Sequence, residues 1–413
     1  MKFMKVGAVA AAALFAITAC TGSETGGDKG TIEIWGALPR QGSNKAQTDT
    51  VVNAINMAIE EKGGEAGVIG GYTVTFKDGD DSTAATGAWD PDTVIKNAND
   101  AVANDAVVGI IGHLNSGAAK LTIPIYCKAG IPIISPANTY PGLTKEGKGE
   151  PDEPGKYYPD GCQRNYTRVV AADDLQGRAG ALWASQLGAT KAYDLDDTEL
   201  YGKGIADVFA TEGPNFGIEI LGRDGIEKDA SDYKALAEKI KGFAPDLVYF
   251  GGITQSNAGQ LWRDIRDAMP DVMMMGPDGI FEQSWIDAAG EAAEGTYITF
   301  GGIPPEELTG AGETFIASYN EKYPDAVAAA YTAYGYEAAT VLLGALERAA
   351  ATNPADNAAL RAAITTEMFA TKDFAGVLGT WSFNAEGDTS LTEMSGQIVK
   401  DGAFAFETVI KEE

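Results

Sequence analysis

The residue types that most often do chemistry are sparse in this chain. It has a single histidine, His113, and three cysteines among 413 residues. A Ser-His-Asp or Cys-His device would have to recruit His113. That residue sits at the end of an apolar run, VVGIIG, in the stretch GHLNSG, where a structural or supporting role is expected. No Cys/His grouping has metal-ligand spacing. Neither a GxGxxG after the first strand nor a GxxxxGK[ST] is present. Adjacent carboxylates occur at Asp80-Asp81, Asp173-Asp174 and Asp196-Asp197. Each pair falls at an expected strand end or helix start, where acids suit the positive end of the helix dipole. Ser116 lies at an expected helix N-terminus, where unpaired amides favour an anion. Asp278, in GPDG, reads by itself as an Asx-turn before Gly279. The pattern suits capture of a small polar solute better than catalysis, with no cofactor and no metal.

The elements that must carry these residues alternate. Residues 31–38 (TIEIWGAL) read as a strand, and a helix follows whose apolar face is Val51, Ile55, Ala58 and Ile59. Residues 72–76 form a strand, 91–103 a helix opened by Pro91, and 107–112 a strand apolar enough to be buried on both faces. Further strands are expected at 131–135, 191–195, 218–221, 247–250 and 272–275, with helices between them. Two stretches follow one plan: strand, Ser-bearing loop, helix, strand, Pro-bearing loop. Pro136 comes 20 residues after Ser116, and Pro277 comes 21 after Ser256. This predicts two related α/β domains with parallel sheets covered on both faces. Ligands bind such sheets at the carboxyl ends of the strands, so two facing edges make a cleft. Residues 324–348 read as a long Ala-rich helix and 379–383, 396–399 and 403–409 as strands, so the chain re-enters both domains. The expected division is residues 31–167 plus 298–372 for the N-terminal lobe and 168–297 plus 373–413 for the C-terminal lobe.

The N-terminus carries a different signal. Lys2 and Lys5 precede an apolar run over residues 6–19, too short for an ordinary membrane span and laid out as a secretory signal. Its end, Ile17-Thr18-Ala19-Cys20, resembles the lipobox of bacterial lipoproteins, which implies removal of residues 1–19 and lipid attachment at Cys20. Residues 20–30 then form a Gly-rich tether. The expected location is extracytoplasmic, on the periplasmic side or the cell surface, with membrane contact through the anchor only. A formal net charge of −28 disfavours nucleic acid. Cys127 and Cys162 remain, as a disulfide or as two buried thiols; an oxidising compartment favours the bridge. A bridge would pin the Pro/Gly-rich residues 149–162 to the body.

In order, GHLNSGAA, GIPIISPANTYPGLT, DDLQG, YGKG, DLVYFGG, MGPDG and AGEAAEGTYIT resemble the branched-chain amino-acid-binding proteins of ABC transporters. The resemblance covers residues 32–408 and implies the type I periplasmic binding fold, two Rossmann-like lobes joined by a multi-strand hinge. It implies an amino-acid ligand, ABC permease and ATPase subunits as partners, a monomer and no enzymatic activity. Relatives that bind amides, urea, aromatic or dicarboxylic acids, or that feed a signalling partner, are the alternatives. Residue by residue, Ser116 matches a serine binding the ligand carboxylate through its hydroxyl and amide, and Thr139 a second carboxylate contact. Ala137 matches a carbonyl holding the ammonium, Tyr201 a tyrosine reaching across the cleft, and Asp278 the carboxylate that pairs with the ammonium. Leu38, Asn115 and Ile253 complete the expected ligand-binding set. Ile253 stands where relatives that bind aliphatic amino acids often carry tyrosine. The loop LPRQGSNK brings Arg40 and Lys45 near the cleft mouth, where Arg40 either joins a solvated basic rim or meets a second anionic group on the ligand.

Overall fold

The computed structural model describes residues 29–412, so the signal segment, Cys20 and most of the tether lie outside the described residues. The chain opens with β1 (Thr31–Ala37) and α1 (Lys45–Gly63), followed by β2 (Val68–Ile69), β3 (Tyr72–Lys77) and α2 (Pro91–Ala103). Next come β4 (Val107–Gly112), α3 (Ser116–Lys128), β5 (Ile133–Ser135) and β6 (Tyr166–Arg168). These strands make a six-stranded sheet in the order β2-β3-β1-β4-β5-β6, parallel except at the β2 edge.

A second sheet begins after α4 (Asp173–Gln186). It is built from β7 (Lys191–Asp196), α5 (Leu200–Glu212), β8 (Glu219–Gly225), α6 (Lys234–Lys241), β9 (Leu247–Gly251), α7 (Ala258–Ala268), β10 (Met273–Gly276), α8 (Gln283–Ala289) and β11 (Tyr297–Phe300). The chain then returns to the first sheet through α9 (Ala311–Lys322), α10 (Thr332–Ala351) and α11 (Asn357–Phe369). The hairpin β12 (Phe374–Gly376) and β13 (Gly379–Trp381) follows. It finishes in the second sheet with the antiparallel pair β14 (Ser395–Lys400) and β15 (Ala403–Val409). That sheet runs β15-β14-β11-β10-β9-β7-β8. The architecture is two-lobed α/β.

Burial explains the local choices. The α1 stripe Val51, Ile55, Ala58 and Ile59 is buried in the core, and α1 packs along α10, where a Cβ on Gly335 would stand 2.7 Å from Val51 Cγ1. β4 is buried along its whole length, as a central strand covered by helices on both faces must be. Asp90 accepts the Thr93 amide and caps α2 ahead of Pro91.

Two crossings come later in the chain than the expected lobe limits. The limit at 297/298 cuts β11, yet β11 pairs along its length with β14 and lies in the second sheet, so the crossing follows Phe300. The limit at 372/373 cuts before the hairpin. Trp381 Nε1 donates to Glu337 Oε1 on α10 (2.6 Å), and Arg168 Nε donates to Asp388 Oδ1 (2.7 Å). These buried polar contacts tie residues 374–388 to the first lobe. The helix expected from Pro324 starts at Thr332, leaving Tyr331 at its head rather than inside it. Cys127 and Cys162 are joined in a disulfide with their Cα atoms 5.9 Å apart, which fastens the 141–162 strap to the C-terminal turn of α3.

Candidate functional site

The two sheets face each other across a cleft whose cavity, about 40 Å³ in volume, is lined from both sides. The first lobe contributes Asn44 and Gln47 at the start of α1, Leu114, Asn115 and Ser116 at the β4–α3 turn, Ala137 after β5, and Tyr331. The second contributes Tyr201 from α5, Ile253 after β9, and Asp278, Gly279 and Glu282 after β10. Ser116, Asn115, Ala137, Tyr201, Ile253 and Asp278, all named from sequence, therefore meet in one cavity.

The first-lobe wall is built around a helix start. Asn115 is the N-cap of α3 and Ser116 its first residue, so the leading amides of α3 have no intrahelical acceptor and present a positive end. Ser116 Oγ accepts the Tyr140 amide at 3.3 Å. Asn115 Oδ1 is buried without a hydrogen-bond partner, an acceptor waiting for a donor. The Ala137 turn is fixed by Ser135, whose Oγ accepts the amides of Ala137 (3.0 Å) and Asn138 (2.8 Å) and donates to the His113 carbonyl (2.9 Å).

The second-lobe wall is built around Asp278, buried in a short 3-10 turn. Its Oδ1 accepts from Gln176 Nε2 (2.7 Å) and Tyr201 Oη (2.8 Å), and its Oδ2 accepts from Tyr331 Oη. Tyr201 Oη also accepts the Gly279 amide (3.1 Å), which fixes the phenol's orientation. Burial raises the Asp278 carboxyl above the usual range, against the lowering effect of these three donors. Burial, with Asp278 beside them, holds the Tyr201 and Tyr331 phenols far up, so both remain donors. Behind Asp278 lies Asp173, fully buried, with the Thr139 side chain beside its carboxyl. Burial and the neighbouring Asp278 hold it well above the usual carboxylate range. Glu282 accepts from Asn44 Nδ2 (2.7 Å), Gln255 Nε2 (3.3 Å) and Ser284 Oγ (3.2 Å), and burial pushes it up to about 7.

Several of these bonds cross the cleft and hold it closed. Asn44 reaches Glu282, Gln255 Nε2 donates to Ser43 Oγ (2.8 Å), Lys145 Nζ meets Asp174 Oδ1 (2.6 Å), and Tyr331 meets Asp278. One glycine permits the closeness: a Cβ on Gly204 in α5 would stand 2.8 Å from the Tyr140 ring.

Three residues named from sequence stand elsewhere. Leu38 is fully buried in the first-lobe core, bridged to Asp80. Thr139 is buried and does not line the cavity, its carbonyl accepting the Asp173 amide at 2.9 Å. Arg40 is turned from the cleft: its guanidinium pairs with Asp49 (2.7 Å) and Asp78 (3.0 Å) and donates to Thr48 Oγ1 (2.9 Å). His113 is buried between Asp81, bonded through Nδ1, and Thr122 (Nε2 to Oγ1, 2.7 Å), away from Ser116 Oγ and the cavity. It orders the β4–α3 turn. Among the described residues no group of His, Cys, Asp and Glu has the arrangement of a metal site, and no helix is long and apolar enough to cross a membrane.

Sequence reasoning missed Tyr331, Glu282, Asn44 and Gln47. Tyr331 was hidden inside an expected helix. Glu282 follows Asp278 by four residues, and that spacing in GPDGIFE was the one signal available for it.

A family model of periplasmic binding proteins matches residues 31–403. The chain is similar to Leu/Ile/Val-binding protein homolog 2 of Brucella abortus (strain 2308), at 30% identity over 86% of each chain. Among solved structures it is similar to the leucine binding protein LivK of Thermotoga maritima MSB8 (26% identity, TM-score 0.78, 92% of this chain and 99% of that one). It shares its fold with the branched-chain amino acid transporter substrate binding protein LivJ of Streptococcus pneumoniae, solved with isoleucine (23% identity, TM-score 0.75, 92% of this chain and 100% of that one).

Proposed function

The chain belongs to the periplasmic binding protein family, and on that premise we propose that it captures an α-amino acid in the cleft between its lobes and delivers it to an ABC importer. The observation that carries this is the opposition of two poles in one cavity. The α3 N-terminus with Ser116 faces it from the first lobe, and the buried carboxylate of Asp278 from the second. An α-carboxylate suits the first pole and an α-ammonium the second. Leu114 and Ile253 supply apolar wall, and Asn115 Oδ1 and the Ala137 carbonyl are further acceptors for the ammonium.

The solute docks first on the lobe carrying Ser116 and Ala137. Hinge closure over the three crossings then brings Tyr201 and Asp278 onto it. The bonds from Asn44 to Glu282 and from Gln255 to Ser43 hold the closed form that a permease would receive. Anchoring through Cys20 would keep the protein beside that permease. The names of the relatives make branched-chain amino acids the first ligands to try.

The test is a thermal-shift screen of the folded body against the amino acids, acetamide, urea and benzoate. A ligand at 100 times its Kd stabilises the native state by about 2.7 kcal/mol, so an α-amino acid raises the Tm by several degrees. Shifts with urea or benzoate but with no α-amino acid would overturn the assignment.

A further inference from the structure

The central cavity is tight, and it adjoins something larger. A chamber of about 810 Å³, open to solvent along the exposed residues Glu306, Asp325 and Val327, lies beside it and shares two wall residues, Gln47 and Glu282. Its walls combine apolar surface, from Phe281, Phe404 and the alanines at 328–330, with the acids Asp49, Glu282, Glu306 and Asp325. Among the described residues, no Lys, Arg or His lines either space. Asp49 is already balanced by Arg40 and Lys45, which leaves Glu282 as the buried acid at the junction and Glu306 and Asp325 as exposed acids beyond it.

We propose that the ligand is an amino acid whose side chain ends in a cation, an amine or guanidinium, that passes Glu282 into the second chamber. The inference rests on the amino-acid reading above. With the α-carboxylate at Ser116 and the α-ammonium at Asp278, Gln47 and Glu282 are the wall residues through which the cavity adjoins the larger space. The way out passes Glu282. A long methylene stem suits the alanine and phenylalanine wall, and its charged head suits the acids around it. Glu282 is held by Asn44, Gln255 and Ser284, so its carboxylate is positioned before a ligand arrives and loses little freedom on binding.

Calorimetric titration of the folded protein with leucine, isoleucine, glutamine, lysine, ornithine and arginine tests this. The expected result is that lysine, ornithine or arginine binds at least about tenfold more tightly than leucine. The variant Glu282→Gln should then cut that preference by about 30-fold, the loss expected for one partner of a buried charge pair. The readout is the ratio of two affinities in one variant, so a general weakening of closure does not imitate it. A preference for leucine, isoleucine or glutamine overturns the inference and leaves the amino-acid site standing. So does a cationic preference that survives in Glu282→Gln. If none of the six binds, the amino-acid reading falls and the inference with it.

Discussion

Asp278→Asn is the substitution that separates binding from folding in this protein. The amide keeps the shape of the carboxylate and removes its charge. Three donors now converge on it, from Gln176, Tyr201 and Tyr331, so an Asn NH₂ must find an acceptor. The Tyr201 and Tyr331 hydroxyls, which donate to the carboxylate, can turn to accept from the new NH₂, while the Gln176 amide stays held by Thr299. The burial that raises the carboxyl in the folded state makes its ionisation a cost to the ligand-free fold. The stabilising contribution of the protonated form is full below the unfolded value of 3.8 and is lost as pH rises through the raised folded value. The Asn variant escapes that loss, so its ligand-free Tm at neutral pH is expected to stay level or rise. Binding behaves differently. Removing one partner of a buried, hydrogen-bonded charge pair costs about 2–5 kcal/mol. The three donors already share the carboxylate's charge, which places the loss toward the lower end, about 3 kcal/mol or roughly 150-fold in Kd. Calorimetric titration with the tightest-binding amino acid, beside a melting curve without ligand, measures both quantities. A variant that binds within about threefold of the parent would show that the ligand has no ammonium at this carboxylate, and the polarity assigned to the cleft would be wrong.

Other expectations follow from the same contacts. Glu282 and Asp197 are both pushed up to about 7 by burial. Their contributions to stability are full below the unfolded values and lost as pH rises through 7. The ligand-free Tm should therefore fall between pH 5 and 8, Glu282→Gln should flatten the fall, and a rising parental profile would contradict the assignment. The Cys127–Cys162 bridge spans 35 residues, and in the chain-entropy treatment such a loop is worth about 4 kcal/mol. A melting curve in strong reductant should drop by several degrees, and an unchanged curve would mean that the strap is held by its other contacts alone. Arg40→Ala should not weaken ligand binding, because the guanidinium is engaged with Asp49, Asp78 and Thr48 on the first lobe. A tenfold loss in titration would return it to the cleft.

What the sequence made legible was whatever a single unit of strand, turn and helix decides by itself. The repeated Ser-to-Pro spacing corresponds to β4-α3-β5 in one lobe and β9-α7-β10 in the other, because a parallel unit needs a fixed length to climb, cross and return. The same logic put Ser116, Ala137 and Asp278 at strand ends facing a common space. The repeat misleads at one point. Ser256 does not line the cavity but donates to Asp197 Oδ2 (2.9 Å), beside the Ile253 amide on the same oxygen (3.0 Å), so the two lobes share a plan but not a chemistry. Residues whose placement depends on the lobes meeting were invisible. Asn44, Gln47, Glu282 and Tyr331 come from four separate parts of the chain, and no local period marks them. Leu38 and Thr139 show the converse: each sits within a few residues of the cleft in sequence and is turned into the core by the strand and loop that carry it. Family likeness carries the backbone path well. It carries the orientation of a side chain at a strand end poorly, because a rotation of one residue there exchanges cavity for core. The ligand is read from such orientations, so Glu282 and the chamber behind it, more than the matched motifs, decide which amino acid this cleft selects.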